Sequence, residues 1–125
     1  MAKILVIDDD EVIAELLQSV LAEGGHLATA IAALEDVRPD GFELVITDLL
    51  STDLLSASPY NVADAGKWVA EVRRRVPGVP VIVCTAHRAA ANDGVGMAAD
   101  AVLTKPFDVD ALLTLVHRLT SEGTG

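Results

Sequence analysis

The chain has 125 residues, of which 51% are hydrophobic, and a formal net charge of −10 from 19 acidic and 9 basic side chains. This length suits one domain with a substantial core, which we assign to residues 1–120, with a polar tail at 121–125. No apolar run approaches the ~20 residues of a membrane span, and the acidic charge argues against nucleic acid as a partner. Cys84 is the only cysteine, so an internal disulfide is excluded and an inert buried thiol is expected. The apolar run near the N-terminus is too short for a signal peptide, and we therefore expect a cytoplasmic protein.

The first half of the chain begins with a short apolar strand, Lys3 to Ile7, which stops at three consecutive aspartates. Apolar residues at helical spacing then predict a helix from about Glu11 to Glu23, and the pair Gly24-Gly25 predicts its end. A weaker strand from His26 to Ala30 and a short alanine-rich helix from Ile31 to Val37 follow.

The second half repeats this alternation. Its predicted elements are, in order, a strand from Leu44 to Thr47, an irregular loop from Asp48 to Ala65, a helix from Gly66 to Val76, a strand from Val81 to Cys84, a glycine-weakened helix from about Asn92 to Ala99, a strand from Ala101 to Leu103 and a last helix capped by Asp108. Trp68 is expected to pack within its helix. Five strands alternating with five helices predict an α/β fold with a doubly wound parallel sheet.

Polar residues stand where the predicted strands end. The first strand stops at Asp8 and Asp9, the third at Asp48, the fourth at Thr85, and the fifth near Lys105. The carboxyl ends of parallel strands share one edge of the sheet, which is where ligands bind in open α/β folds. Clustered carboxylates repel one another unless a cation lies among them, and Mg²⁺ suits an all-oxygen set of ligands. The three histidines have no metal-ligand spacing, so a zinc site is not expected.

At these residues the chain resembles the receiver domain of two-component response regulators. Ile4-Leu5-Val6-Ile7-Asp8-Asp9-Asp10-Glu11 is similar to the family's opening strand and acidic pair, Thr85-Ala86 to its switch residue and following small residue, and Lys105-Pro106-Phe107 to its Lys-Pro-Phe signature. Asp48 stands where the family has its phosphoaccepting aspartate. The resemblance extends from Lys3 to Leu119. It implies a flavodoxin-like (βα)5 fold that accepts a phosphoryl group from a sensor histidine kinase or a phosphotransfer protein.

The resemblance also implies a role for each residue. Asp48 is expected to be the nucleophile, and Lys105 to neutralise charge on the transferring phosphoryl group. Thr85 is expected to bond the phosphoryl oxygen afterwards and so to switch the surface of the fourth helix, fifth strand and fifth helix. Mg²⁺ is expected to be held by the carboxylates of Asp8, Asp9 and Asp48 and the backbone carbonyl of Leu50. These roles are those of a signalling module and not of an enzyme. The resemblance also implies a cis peptide bond between Lys105 and Pro106.

Three departures from the family pattern bear on how such a site would be regulated. About ten extra residues separate Asp48 from Gly66, which makes residues 49–65 an insertion. Val102 occupies the family's aromatic switch position and has no ring to move. Leu50 and His87, two residues after Asp48 and Thr85, flank the expected approach of a hydrolysing water.

Two other classes of function stay open from the sequence. The long insertion favours a pseudo-receiver, which would keep the fold as an unphosphorylated protein-interaction module. A flavodoxin-like redox or nucleotide-binding protein is the other, although only 3% of residues are aromatic and no glycine loop follows the first strand. The sequence also leaves open a homodimer and the identity of a downstream protein target.

Overall fold

A computed structural model describes residues 2–38, 41–49 and 61–121. Within them lie five strands and three α-helices. In chain order these are β1 (Lys3–Ile7), α1 (Glu11–Glu23), β2 (Leu27–Ile31), β3 (Leu44–Thr47), α2 (Val62–Arg75), β4 (Val81–Thr85), β5 (Ala101–Thr104) and α3 (Val109–Ser121).

The strands form one parallel sheet in the order β2-β1-β3-β4-β5. The strands β1, β3 and β4 lie inside the sheet, and the last four residues of β1 and all of β3 and β4 are buried, which explains their uninterrupted apolar sequences. One buried cluster joins the sheet to α1 and α3, and a second joins the opposite face to α2. The expected doubly wound, flavodoxin-like sheet is therefore confirmed. No helix of the described ranges is both long enough and apolar enough to cross a bilayer.

Several predicted boundaries are confirmed. Helix α1 spans Glu11–Glu23, with Asp10 as its N-cap accepting from the backbone N–H groups of Val12 and Ile13. The side chain of Asp108 accepts from the backbone N–H of Asp110 at the start of α3, as expected of a cap. Each of the five strands begins and ends within one residue of its predicted bounds.

Two predicted helices are wrong. In place of the helix from Ile31 to Val37 there is a single turn of 3-10 helix at Leu34–Asp36, because β2 extends to Ile31 and the remaining segment is too short to sustain an α-helix. In place of the helix from Asn92 to Ala99, a 3-10 turn at Arg88–Asn92 is followed by hydrogen-bonded turns.

The failure of that second helix has a backbone cause. Gly94 and Gly96 lower helix propensity, and Ala98 has a φ of 60°, which a right-handed helix cannot contain. Between β4 and β5, turns therefore stand where a fourth helix was expected to form part of the output surface.

Helix α2 begins four residues before the predicted Gly66. The side chain of Asn61 accepts from the N–H groups of Ala63 and Asp64 and so caps the helix at Val62. Gly66 consequently lies inside α2, where a Cβ would stand 3.6 Å from the Cα of Met97.

Candidate functional site

Three carboxylates meet at the carboxyl ends of β1 and β3. Asp8 and Asp9 follow β1 and Asp48 follows β3, and one oxygen of each lies within 4.8 Å of the others. The chain order of the sheet reverses between these two strands, which is the position of the ligand crevice in doubly wound sheets. A cleft of about 380 Å³ opens beside Asp8 and Asp9, between α1 and the end of β2. The structure thus brings together the acidic residues singled out in the sequence.

Lys105 enters this cluster from the loop after β5. Its Nζ lies 2.8 Å from Asp8 Oδ2 and 3.6 Å from Asp48 Oδ2. The side chains of Asp8 and Lys105 are only 2% and 15% exposed, so this is a buried ion pair, and Asp8 Oδ1 also accepts from the Asp10 N–H. Burial acts to lower the pKa of Lys105, but the hydrogen bond that Lys105 donates to Asp8 and the charges of Asp48 and Asp8 outweigh it and raise the pKa. Lys105 is therefore a fixed cation at neutral pH.

Lys105, which is expected to act on a phosphoryl group at Asp48, contacts both carboxylates, and its shorter contact is with Asp8. The Lys105 backbone N–H donates to the Thr85 carbonyl at 2.7 Å, which ties the loop after β5 to the end of β4. The Lys105–Pro106 peptide bond is cis, which confirms the expectation from the resemblance.

Asp48 is partly buried beside these charges. Its Oδ1 accepts from the Leu49 N–H at 2.8 Å, and its Oδ2 faces Lys105. Desolvation raises the pKa of the Asp48 carboxyl, the Asp8 charge adds to that effect, and Lys105 and the Leu49 N–H only partly offset it. Because the negative charge of this carboxylate is poorly solvated, any cation that approaches it stabilises its charged form.

The donor set fits a hard divalent cation. Mg²⁺ prefers oxygen ligands, takes one or two carboxylates and keeps several waters, which the exposed side of Asp9 allows. No His or Cys belongs to the cluster, and soft metals prefer such ligands. The acidic cluster is therefore suited to Mg²⁺.

Thr85 and His87 lie at the end of β4. Thr85 is fully buried, and its hydroxyl oxygen accepts from the His87 backbone N–H at 3.2 Å. Val102 lies on the neighbouring strand, opposite Val83, and packs against the core on the α2 face. Cys84 is 1% exposed, which confirms the prediction of a buried thiol, and burial raises the pKa of that thiol to about 12.

One predicted ligand cannot be placed. Leu50, whose backbone carbonyl was expected to bind the metal, lies outside the described residues, and so does most of the 49–65 insertion.

Two residues next to the site were missed in the sequence: Thr47 contacts the Asp48 backbone, and Trp68 contacts Thr47. The Thr47 hydroxyl donates to the Asp48 carbonyl at 2.7 Å, and the Trp68 indole N–H donates to that hydroxyl at 2.9 Å. Trp68 does pack on the core from α2, as expected, but it has this polar contact as well. The only sequence signals were a polar residue at the end of an apolar strand and a single tryptophan, and neither specifies a contact between residues 21 positions apart.

Comparisons with known proteins agree with this geometry. The chain is 32% identical over 123 residues to the response regulator protein FleR of Pseudomonas aeruginosa and 35% identical over 118 residues to the transcriptional regulatory protein GlrR of Escherichia coli. These matches cover 94% and 89% of this chain but 24% of each relative, so the chain spans about a quarter of their length. The receiver domain of a Francisella response regulator superposes with a TM-score of 0.73 at 23% identity, covering 98% of this chain and 99% of that one. No family model matches the chain.

Proposed function

Because the chain belongs to the receiver domains of two-component response regulators, we propose that Asp48 is the residue that accepts the phosphoryl group. The observation that carries the proposal is the position of its carboxylate, which shares the cluster with Asp8 and Asp9 and has Lys105 3.6 Å from Oδ2. Of the three clustered carboxylates, Asp8 is 3% exposed and already paired with Lys105, and Asp9 lies at the exposed rim. Asp48, by contrast, is partly exposed and its carboxylate also lies within 3.6 Å of the ammonium.

The reaction is a phosphoryl transfer from a phosphohistidine of a histidine kinase or phosphotransfer protein. An Asp48 carboxylate oxygen attacks phosphorus, the P–N bond breaks, and the imidazole leaves with the bonding electron pair, which a proton from solvent then neutralises. The product is an acyl phosphate on Asp48. The Lys105 ammonium neutralises negative charge on the phosphoryl oxygens as it develops. The domain acts here as a stoichiometric acceptor, so we do not assign it an enzymatic activity.

Mg²⁺ belongs to the same proposal. Asp8, Asp9 and Asp48 would hold it, with the Leu50 carbonyl as a further ligand. When bound it supplies positive charge that relieves carboxylate repulsion and stabilises the phosphoryl oxygens. Asp8 is fixed for this task by Lys105 on one oxygen and the Asp10 N–H on the other.

Thr85 would convert phosphorylation into a change of shape. Its hydroxyl now accepts from the His87 N–H, which leaves its own proton available to a phosphoryl oxygen. Forming that bond would pull residues 85–87 toward Asp48 and shift the turns that follow, next to β5 and α3. Val102 offers no aromatic ring for such a movement, so the output surface comprises the connection of residues 86–100, β5 and α3. A cytoplasmic location is part of this proposal, since a single buried cysteine needs no oxidising compartment.

Incubation with acetyl phosphate and magnesium, followed by intact-protein mass measurement, tests the acceptor. The wild type should gain one phosphoryl group, and Asp48→Asn should gain none. Asp10→Asn is the matched control, because it makes the same change at an exposed residue outside the cluster and asparagine still caps a helix. Undiminished labelling of Asp48→Asn would refute the assignment.

A further inference from the structure

The only tryptophan of the chain is connected by hydrogen bonds to the backbone of Asp48. Trp68 lies on α2, partly buried, and its indole N–H donates to Thr47 Oγ1 at 2.9 Å. Thr47 is the last residue of β3 and is fully buried, and its hydroxyl donates to the Asp48 carbonyl at 2.7 Å. Both distances are those of well-formed hydrogen bonds.

The chemistry of the groups fixes the direction of these bonds. An indole N–H can only donate and a carbonyl can only accept. The Thr47 hydroxyl must therefore accept from Trp68 and send its single proton to Asp48. The hydroxyl has a single proton, so it cannot donate elsewhere without losing the bond to Asp48, and its burial makes the loss of either partner costly.

The peptide group between Asp48 and Leu49 is consequently hydrogen-bonded through both its carbonyl and its N–H. Its carbonyl accepts from Thr47, and its N–H donates to Asp48 Oδ1 at 2.8 Å. A peptide plane held in this way restricts the rotation of the Asp48 carboxylate, since Oδ1 is bound to the plane itself. Oδ2 is left on the side of Lys105.

We propose that Trp68 is a positioning residue for phosphoryl transfer, which acts through Thr47 to hold the Asp48–Leu49 peptide and with it the Asp48 carboxylate. This inference rests on the proposed role of Asp48 as the acceptor. Transfer requires an in-line approach of a carboxylate oxygen to phosphorus, so a carboxylate free to rotate spends less time in a reactive orientation. The same bonds connect helix α2 to the site and make Trp68 emission sensitive to the state of Asp48.

The first test measures the rate of labelling by acetyl phosphate at fixed magnesium. Thr47→Val is nearly isosteric but removes the hydroxyl, and it should slow labelling about fivefold, the effect expected of one hydrogen bond. Thr47→Ser keeps the hydroxyl and should restore labelling to within about twofold of wild type. Equal rates for Thr47→Val and wild type, with both proteins folded by circular dichroism, would overturn the positioning role.

The second test asks whether Trp68 acts through Thr47. Trp68→Phe keeps most of the packing but loses the N–H, and it should slow labelling by a similar factor. In a Thr47→Val background it should have no further effect, because the bond it removes is already absent. A purely structural contribution of the indole would instead multiply with the Thr47 effect and overturn the proposal. Lys67→Ala, an exposed change on the same helix, should label at the wild-type rate.

Trp68 emission gives a readout that a structural role would leave unchanged. Beryllofluoride with magnesium should shift emission in wild type and Thr47→Ser but not in Asp48→Asn, and the shift should shrink in Thr47→Val. Emission that responds equally in Thr47→Val and wild type would count against the inference. A wild type that takes no label at all overturns both proposals, whereas normal wild-type labelling with an unaffected Thr47→Val overturns the positioning role alone.

Discussion

The carboxyl ends of β1 and β3 and the connection between β4 and β5 are stabilised in contrasting ways. At β1 and β3 the backbone leaves a buried strand and the next residues form a buried ion pair and a carboxylate cluster. Residues 86–100, by comparison, contain no α-helix and are mostly turns. Arg73 of α2 holds this connection by donating to the Ala98 carbonyl and to Asp100. The first region is thus held by a buried carboxylate with its counter-ion, and the second by hydrogen bonds from Arg73 and by the buried side chains of Ala90 and Met97.

The largest expected effect lies in the first region. Lys105→Met should lower the free energy of unfolding by about 3 kcal/mol at neutral pH without magnesium, because it leaves the Asp8 carboxylate buried without its counter-ion. Urea unfolding measures this change, with the exposed Lys67→Met as control. A loss no greater than that of Lys67→Met would mean that the ion pair does not hold the site together.

A smaller loss should come from the connection. Arg73→Met removes hydrogen bonds to the carbonyls of Val79 and Ala98 and the ion pair with Asp100, whose partners are 36% and 38% exposed, and should cost about 1–2 kcal/mol. Arg74→Met, at the adjacent residue with a side chain 77% exposed, should change stability by less than about 0.5 kcal/mol. Equal effects of the two substitutions in urea unfolding would show that Arg73 does not hold the turns.

Magnesium should stabilise the folded protein through the carboxylate region alone. At a tenfold excess over its dissociation constant the ion should add about 1.4 kcal/mol to the stability of the wild type. Asp9→Asn should abolish most of this gain, whereas Asp10→Asn should keep it, since Asp10 caps α1 and lies outside the cluster. Thermal melts with and without magnesium provide the comparison, and a melting temperature of the wild type that ignores magnesium would contradict the metal site.

These effects show why the two regions differ in how far the sequence could predict them. Apolar runs ending in Asp8, Asp48 and Thr85 specify strands and strand ends locally, so the sheet and the cluster follow from reading short segments. The turns after β4 depend on Arg73, which is 25 residues from Ala98, and on a positive φ at Ala98. Helical propensity carries no information about either feature, and the predicted helix there was wrong.

The smallest effect concerns the charge of Asp48. Because the pKa of Asp48 is raised above its ordinary 3.8, its stabilising contribution is present below pH 3.8 and is lost as pH rises through the folded-state pKa. Without metal, Asp48→Asn should therefore be more stable than the wild type at pH 7 by about 0.5–1 kcal/mol. The difference should vanish below pH 3.8, where both side chains are neutral. Urea unfolding at several pH values measures the sign of this stability difference. An Asp48→Asn variant less stable than the wild type at pH 7 would contradict the described electrostatics.

Phosphorylation is expected to form an acyl phosphate on Asp48. Borohydride reduction of the phosphorylated chain converts an acyl phosphate to the alcohol, so peptide mapping by tandem mass spectrometry then identifies the modified position. We expect homoserine at position 48 of the wild type, only after treatment with both acetyl phosphate and magnesium. Homoserine at position 8 or 9, or an unmodified Asp48 in protein that carries the label, would contradict it.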